Sequence, residues 1–315
     1  MPEIIQLDLF SDVQTDTTEE AKIEWSYSRR QTLERCARGY YYEYYGAKAR
    51  LATSDPQKED IRFLSTLSNR YLRSGDILHI AIRLFYKYGD SSSKWLVDWA
   101  RRIYRADYEY SREGSRSHSS DERYPPVMLL EFYYDQPDAD TLYAESENRL
   151  LSAVETFLTS PAYAVARYGG QCSSAKVEER IFVRTTAFHA RGRLDLAFPQ
   201  DGKLAIVDWK TGKAEAPAKS LQLGFYALWA VEAQGYSPEK VTLYHGQLSD
   251  GSLRPMPLSE HTLLRVRARI IQDLERMRVL DEYGREGTVE VFPPCGFPKV
   301  CRPCPYQRIC PGVAT

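Results

Sequence analysis

The segment GRLDLAFPQDGKLAIVDWKTG, residues 192–212, constrains this chain more than any other part of it. Asp201-Gly202 is a two-residue hairpin signal, because both central positions of such a turn need positive φ, which Gly adopts freely and Asp tolerates. The flanking runs GRLDLAF and KLAIVDW have the length and apolar content of strands. With Asp201 and Gly202 at the turn, Gln200 faces Lys203, and the register runs on until Asp195 faces Asp208. Directly opposed residues share a face, with Cβ atoms about 5 Å apart. Lys210, two residues beyond Asp208, points to that face as well.

Two carboxylates side by side, on strands that Leu196 and Val207 mark as otherwise buried, repel each other unless a cation lies between them. Oxygen-only ligation suits Mg²⁺ or Mn²⁺ better than zinc. An ammonium beside such an ion can position a water or stabilise charge on a phosphate, which is the equipment for phosphodiester hydrolysis. The alternative is a surface hairpin whose Asp and Lys only face water, and the hairpin geometry alone leaves both open.

The surrounding pattern places this hairpin in a mixed α/β core. Ser28 and Gln31 read as a capping box that opens a helix to about Tyr45. A second helix is expected over about 74–88, with Ile77, Ile80, Ala81, Leu84 and Phe85 on its buried face. Helical stretches follow near 92–110 and 138–160, separated by the unpatterned, loop-like run 111–126. VEERIFV, the two hairpin strands and VTLYHGQL (241–248) read as strands, with helices over Ser220–Val231 and about Ser259–Leu280. The expected organisation is a flexible lead-in over 1–22 and one nuclease-type domain over 23–315. That domain divides into a helical part (about 23–170), a catalytic α/β core (about 171–258) and a C-terminal helix with a cysteine tail (about 259–315).

Taken in order, Gly75-x-x-x-His79, GRLD (192–195), VDWKTG (207–212) and QLGFY (222–226) resemble the motifs of the RecB-like branch of the PD-(D/E)XK nucleases. The resemblance covers roughly Trp25 to Cys310, with the 90–170 insertion poorly constrained by it. It implies a restriction-endonuclease-like mixed sheet flanked by helices, with a helical insertion. It also implies a metal held by His79, Asp195, Asp208 and the Trp209 carbonyl, and Lys210 assisting the water nucleophile. Gln222 and Tyr226 would hold the DNA or the lysine. The family also carries a glutamate on the strand before Gly-x-x-Asp. Glu178 and Glu179 both qualify, alternation sets them on opposite faces, and Glu179 is the one expected in the site. Taken alone, His79 would read as a satisfied core histidine; the motif order is what assigns it.

Six cysteines in a chain without a secretory leader or a long apolar run point to a cytoplasmic protein using thiols as ligands. Cys301, Cys304 and Cys310 have the spacing C-x₂-C-x₅-C, and a tetrahedral centre needs a fourth thiolate, for which Cys295 and Cys36 are candidates. Nucleases of the AddB type and of CRISPR adaptation pair one N-terminal cysteine, followed by aromatic residues, with such a C-terminal set around a four-iron, four-sulfur cluster. The run SYSRRQTLERCARGYYYEYY resembles that arrangement and implies Cys36, Cys301, Cys304 and Cys310 as ligands of a clasp joining the two ends of the domain. Zinc is the rival metal. Cys172 reads as a plain thiol.

Gln6, Leu7, Leu9 and Phe10 in QLDLF resemble the peptide by which bacterial repair proteins dock on the sliding clamp, and a short strand or helix packed on the domain is the alternative. The net charge of −1 excludes a generally basic nucleic-acid coat, so any DNA contact must be a local patch. Arg29, Arg30, Arg35, Arg38, Arg265, Arg267 and Arg269 are candidates for phosphate tracking. Tyr40, Tyr41, Tyr42, Tyr44 and Tyr45 could stack bases or pack around the cluster. No Walker motif is present, so a helicase partner would be a separate chain. Three readings stand at this stage: a metal-dependent nuclease for single-stranded DNA or DNA ends, a non-catalytic DNA- or helicase-binding module, and a zinc-clasped adaptor. Repair, recombination and antiviral defence all fit the first.

Overall fold

In the computed structural model the described residues are 23–46, 56–89, 93–113, 123–212 and 220–312. The QLDLF peptide, the rest of the lead-in and residues 114–122 of the expected loop lie outside them.

Asp201 and Gly202 take φ +50° and +74°, as the turn requires. Strands β1 (Lys176–Arg184), β2 (His189–Gln200) and β3 (Lys203–Lys210) form successive antiparallel pairs. The β2–β3 ladder runs from Gln200↔Lys203 to Leu196↔Val207, which is the register the turn dictates. Beyond β3, helix α1 of the core (Leu221–Glu232) leads to β4 (Val241–Gln247), parallel to β3, and β5 (Ser252–Met256) closes the five-stranded order β1-β2-β3-β4-β5. A crossover of this kind sets the carboxyl ends of β3 and β4 side by side, where open α/β sheets bind ligands.

Alternation along β3 sorts its residues into two layers. Leu204 and Ile206 pack with core helix α1 and the long helix α2 (Glu260–Glu286), while Ala205, Val207 and Trp209 pack under the N-terminal helices. The N-terminal helical layer is made by Arg70–Tyr88, Trp95–Glu113 and Ala139–Thr159. Trp209 is 2% exposed between Phe157 and Tyr163, ring centroids 5.4 and 5.1 Å away. Burying such a side chain contributes roughly 2–3 kcal/mol, so the strand is anchored by the residue that lies between Asp208 and Lys210. The result is the expected restriction-endonuclease-like α/β fold, a mixed sheet flanked by helices.

Several local expectations need correction. The first helix spans only Tyr27–Arg35, and its cap is Ser26, whose hydroxyl accepts from the Arg29 N–H, rather than Ser28. Cys36 is extended (φ −163°, ψ 118°) and interrupts the helix, which resumes at Ala37–Tyr41 and ends in a π-turn over Tyr42–Gly46. The helix expected over 74–88 begins at Arg70, capped by Asn69, and Leu78 and Ile82 are buried where Ile80 and Leu84 were expected. That rotation keeps the His79 side of the helix out of the core. The last helix runs six residues past Leu280 and ends at Gly287, whose φ of +83° supplies the left-handed cap.

The aromatic run after Cys36 is core. Tyr40, Tyr41, Tyr42 and Tyr45 are buried, packed on Phe292 and Tyr306, so they are not a base-stacking surface. Most of the candidate phosphate-tracking arginines are held internally. Arg29 donates to the hydroxyls of Tyr40 and Tyr45, Arg30 and Arg269 meet Glu34 and Asp273, Arg267 pairs with Glu232, and Arg38 donates to the Phe292 carbonyl. Arg30 and Arg269 join the first helix to the long C-terminal helix, and Arg38 ties the following helical turn to the tail.

Candidate active site

A cleft of about 810 Å³ opens at the carboxyl end of β3, between the start of the Tyr27–Arg35 helix and the helix Arg70–Tyr88. His79, Asp195, Lys210, Gln222 and Tyr226 line it, and Asp208 lies just beneath, fully buried.

Asp195 is 5% exposed, and its Oδ2 accepts the Trp209 backbone N–H at 2.8 Å, which fixes β2 against β3 at the level of the site. The Trp209 indole packs away from the cleft in the helical layer. Burial raises the pKa of both carboxylates. Asp208 is pushed up to about 6, against the pull of Lys210 and helped by the Asp195 charge. In Asp195, the His79 charge opposes the rise and Glu178 adds to it.

Lys210 Nζ lies 2.9 Å from Asp208 Oδ2 and donates to Gln222 Oε1 at 2.8 Å. The Gln222 amide donates to the Tyr226 hydroxyl at 2.7 Å, and that hydroxyl donates to the Arg193 carbonyl at 2.5 Å. The lysine is thus oriented by a relay that ends on backbone. Burial favours the neutral amine, but Asp208 and Asp195 outweigh it and hold Lys210 above the ordinary lysine range, so it is an ammonium.

Glu179, the expected glutamate, is not in the cleft. It is turned outward and accepts from Lys176 Nζ at 2.6 Å. Glu178 stands in its place, with its Oε1 2.7 Å from His79 Nδ1. The reason is a left-handed residue in the strand. Glu178 has φ +50°, and the face changes there: Val177 packs on the helical layer, whereas Ile181, of the same parity, packs on the other. Simple alternation fails across such a residue. A non-glycine in this conformation costs about 1–3 kcal/mol and persists only where its surroundings enforce it.

His79, Glu178 and Asp195 offer three ligand atoms within 4.8 Å of one another. Burial would lower the His79 pKa, but Asp195 and Glu178, with Asp208 further off, raise it to about 9. The donor set of one imidazole and clustered carboxylates, two of them buried and with raised pKa values, fits a hard divalent cation, which relieves the repulsion these groups otherwise feel. His245 on β4 is a site residue that sequence reasoning missed; it borders the cleft and its Nδ1 is 3.9 Å from Asp208 Oδ2. A lone histidine inside VTLYHGQL carries no signal of that role.

The thiols gather elsewhere in the molecule. Cys36, Cys295 and Cys310 lie within electrostatic reach of Cys301, and Cys36, Cys301 and Cys310 within reach of Cys304. Burial pushes Cys304 up to about 12, and the neighbouring thiols add to the rise. The two ends of the chain are stitched there by Arg38 N–H to the Pro293 carbonyl at 3.2 Å and by the Tyr42 hydroxyl to the Ile309 carbonyl at 3.2 Å. Cys172 is exposed and remote from this group, beside Ser174.

Among the described residues no helix is long and apolar enough to cross a membrane. No curated protein matches the chain. The solved structure described as "Crystal structure of SSO0001" is 15% identical, with a TM-score of 0.29, over 78% of this chain and 98% of that one. The sequence model of the PD-(D/E)XK nuclease superfamily matches residues 24–311, nearly the whole of the described fold and every motif in the cleft. The chain belongs to the PD-(D/E)XK nuclease superfamily.

Proposed function

We propose that the protein is a Mg²⁺- or Mn²⁺-dependent deoxyribonuclease of the RecB-like branch, acting as an exonuclease on single-stranded DNA or DNA ends. The observation that carries this reading is the convergence of His79, Glu178 and Asp195 on one point, beside Asp208 and a lysine held as an ammonium. His79, Glu178, Asp195 and Asp208 would hold the cation, with the Trp209 carbonyl as a further oxygen donor. A bound divalent cation supplies Lewis-acid charge beside the phosphate. Lys210 orients the attacking water and stabilises charge on the phosphate oxygens. Gln222 and Tyr226 keep the ammonium in place. Arg83 and Arg193, both exposed at the cleft, are suited to flanking phosphates.

Cys36, Cys301, Cys304 and Cys310 would hold a four-iron, four-sulfur cluster. Burial and the neighbouring thiols raise the proton affinity of Cys301 and Cys304, which suits a cation-rich group, and the stitched chain ends suit a clasp. Cys295 is the alternative fourth ligand and zinc the alternative metal. Deletion of residues 1–12 tests a sliding-clamp contact through Gln6, Leu7, Leu9 and Phe10: the proposal expects clamp binding to be lost and cleavage retained. Repair, recombination and antiviral defence, with or without a helicase partner, are the settings for such an enzyme in the cytoplasm.

The decisive experiment is cleavage of end-labelled single- and double-stranded DNA by wild type, Asp208→Ala and Lys210→Ala with Mg²⁺ or Mn²⁺. Metal-dependent cutting lost in both variants is expected, and the product ladder gives the polarity. A folded wild type that binds DNA but never cuts it would favour the binding-module reading instead.

A further inference from the structure

We propose that His245 is a positioning residue for Asp208, holding that carboxylate in the orientation a divalent cation requires; the inference rests on the metal-nuclease reading above. The parallel pairing of β3 and β4 sets Asp208 beside His245, Trp209 beside Gly246 and Lys210 beside Gln247. With a side-chain period of two, His245 and Gln247 share the face of Asp208 and Lys210. Gly246 makes this close fit attainable, since a Cβ there would come 2.2 Å from the Trp209 ring. The far end of the strip is tied to the catalytic strand. The Gln247 amide donates to the Gly212 carbonyl at 2.5 Å, and the Leu248 N–H donates to the Lys210 carbonyl at 2.8 Å.

His245 is only 6% exposed, yet it borders the cleft. Its Nδ1 stands 3.9 Å from Asp208 Oδ2, the oxygen that meets Lys210 Nζ at 2.9 Å. That oxygen is fully buried and makes no well-aligned hydrogen bond. The imidazole is too far for a hydrogen bond and too close for the carboxylate to swing past it. It therefore acts as a polar stop: Oδ2 stays between the ammonium and the ring. An aliphatic side chain of similar size would fill the same space but add desolvation to a buried charge. His79 cannot serve this purpose, because its Nδ1 is held by Glu178 Oε1 at 2.7 Å.

Groups that orient a metal ligand affect metal affinity by about 10- to 100-fold when removed. The test is Mn²⁺ titration of the DNA-free protein, read by electron paramagnetic resonance, for wild type, His245→Leu, His245→Asn and Asp208→Asn, each with its thermal midpoint. His245→Leu is expected to weaken Mn²⁺ about 10-fold or more and to lower kcat comparably, with KM for DNA within about 2-fold. His245→Asn, polar and compact, should recover most of both. If His245→Leu binds Mn²⁺ like wild type while Asp208→Asn does not, the positioning role is wrong and the nuclease reading stands. Equal losses in the Leu and Asn variants with lowered thermal midpoints would reduce His245 to a packing residue. A wild type that neither binds Mn²⁺ nor cuts DNA would overturn the underlying reading itself.

Discussion

His79 Nδ1 lies 2.7 Å from Glu178 Oε1, across a separation of 99 residues. The contact exists because the Glu178 backbone is left-handed, which turns its carboxylate into the cleft and sends that of Glu179 out to Lys176. Adjacent residues of the same type thereby acquire opposite roles.

Substitution separates them. Glu178→Gln keeps the shape but removes a charge from the group proposed to hold the metal, and should lower cleavage by at least about 100-fold, or roughly 3 kcal/mol of transition-state stabilisation. Glu179→Gln should stay within about 2-fold of wild type, because an exposed ion pair contributes little. The reverse order, with Glu179→Gln the more damaging, would mean the strand is regular in solution, because regular alternation would put Glu179 and not Glu178 on the cleft face.

The relay that orients Lys210 predicts a kinetic signature. A hydrogen bond to a charged group contributes about 1.5–3 kcal/mol, so Gln222→Ala should reduce kcat by about 10- to 100-fold. DNA binding, measured with the cation replaced by Ca²⁺, should be little changed. Tyr226→Phe removes only the anchor of the glutamine and should cost less. A Gln222→Ala variant with normal kcat and weakened DNA binding would instead make the glutamine a DNA contact.

The titration of the cleft predicts how the chelated protein responds to pH. Asp208 has its folded pKa raised to about 6 from 3.8, so its stabilising contribution is complete below about 4 and is lost as pH rises through 6. His79, raised to about 9 from 6.5, loses its contribution as pH rises through 9. Both act in the same direction, and ionising Asp208 alone costs on the order of 2–3 kcal/mol. In a chelator, Asp208→Asn should melt a few degrees above wild type at pH 8, with the gap closing near pH 4. Mn²⁺ should stabilise wild type increasingly from pH 6 to 9, because it displaces protons from these groups. A gap between the two proteins that does not vary with pH would contradict the assignment.

The cysteine group makes a prediction in colour. Cys36→Ser and Cys304→Ser should bleach the brown of an anaerobically prepared protein, with its broad absorbance near about 400 nm, and lower the thermal midpoint together. Cys172→Ser should change neither. A colourless wild type with one bound zinc would replace the iron–sulfur assignment.

Gly246 offers a packing test. Gly246→Ala drives a methyl into the Trp209 ring and should destabilise by about 1–3 kcal/mol. Activity should fall with it, since the same contact seats Asp208 against His245. Unchanged stability would show that β4 is free to move away from β3.

Local rules acting over a few residues were enough to write the hairpin, the positions of Asp195, Asp208 and Lys210 on one face, and the helix carrying Gln222 and Tyr226. An Asp-Gly turn fixes register, and register fixes faces, so this part of the site is legible without any tertiary contact. The ordered motifs added His79. What the sequence did not carry was decided by contacts between elements far apart in the chain. The left-handed Glu178 is held by a partner 99 residues away, and no local preference of Glu announces it. His245 reaches Asp208 only through a parallel pairing made after a crossover helix. For the arginines and tyrosines near Cys36 the sequence left nucleic-acid contact and packing both open; the long C-terminal helix and the tail decide it, burying Tyr40, Tyr41, Tyr42 and Tyr45 and pairing Arg30 and Arg38. Hydrophobic patterning states that a side chain will be buried or paired; only the assembled core determines which partner it meets.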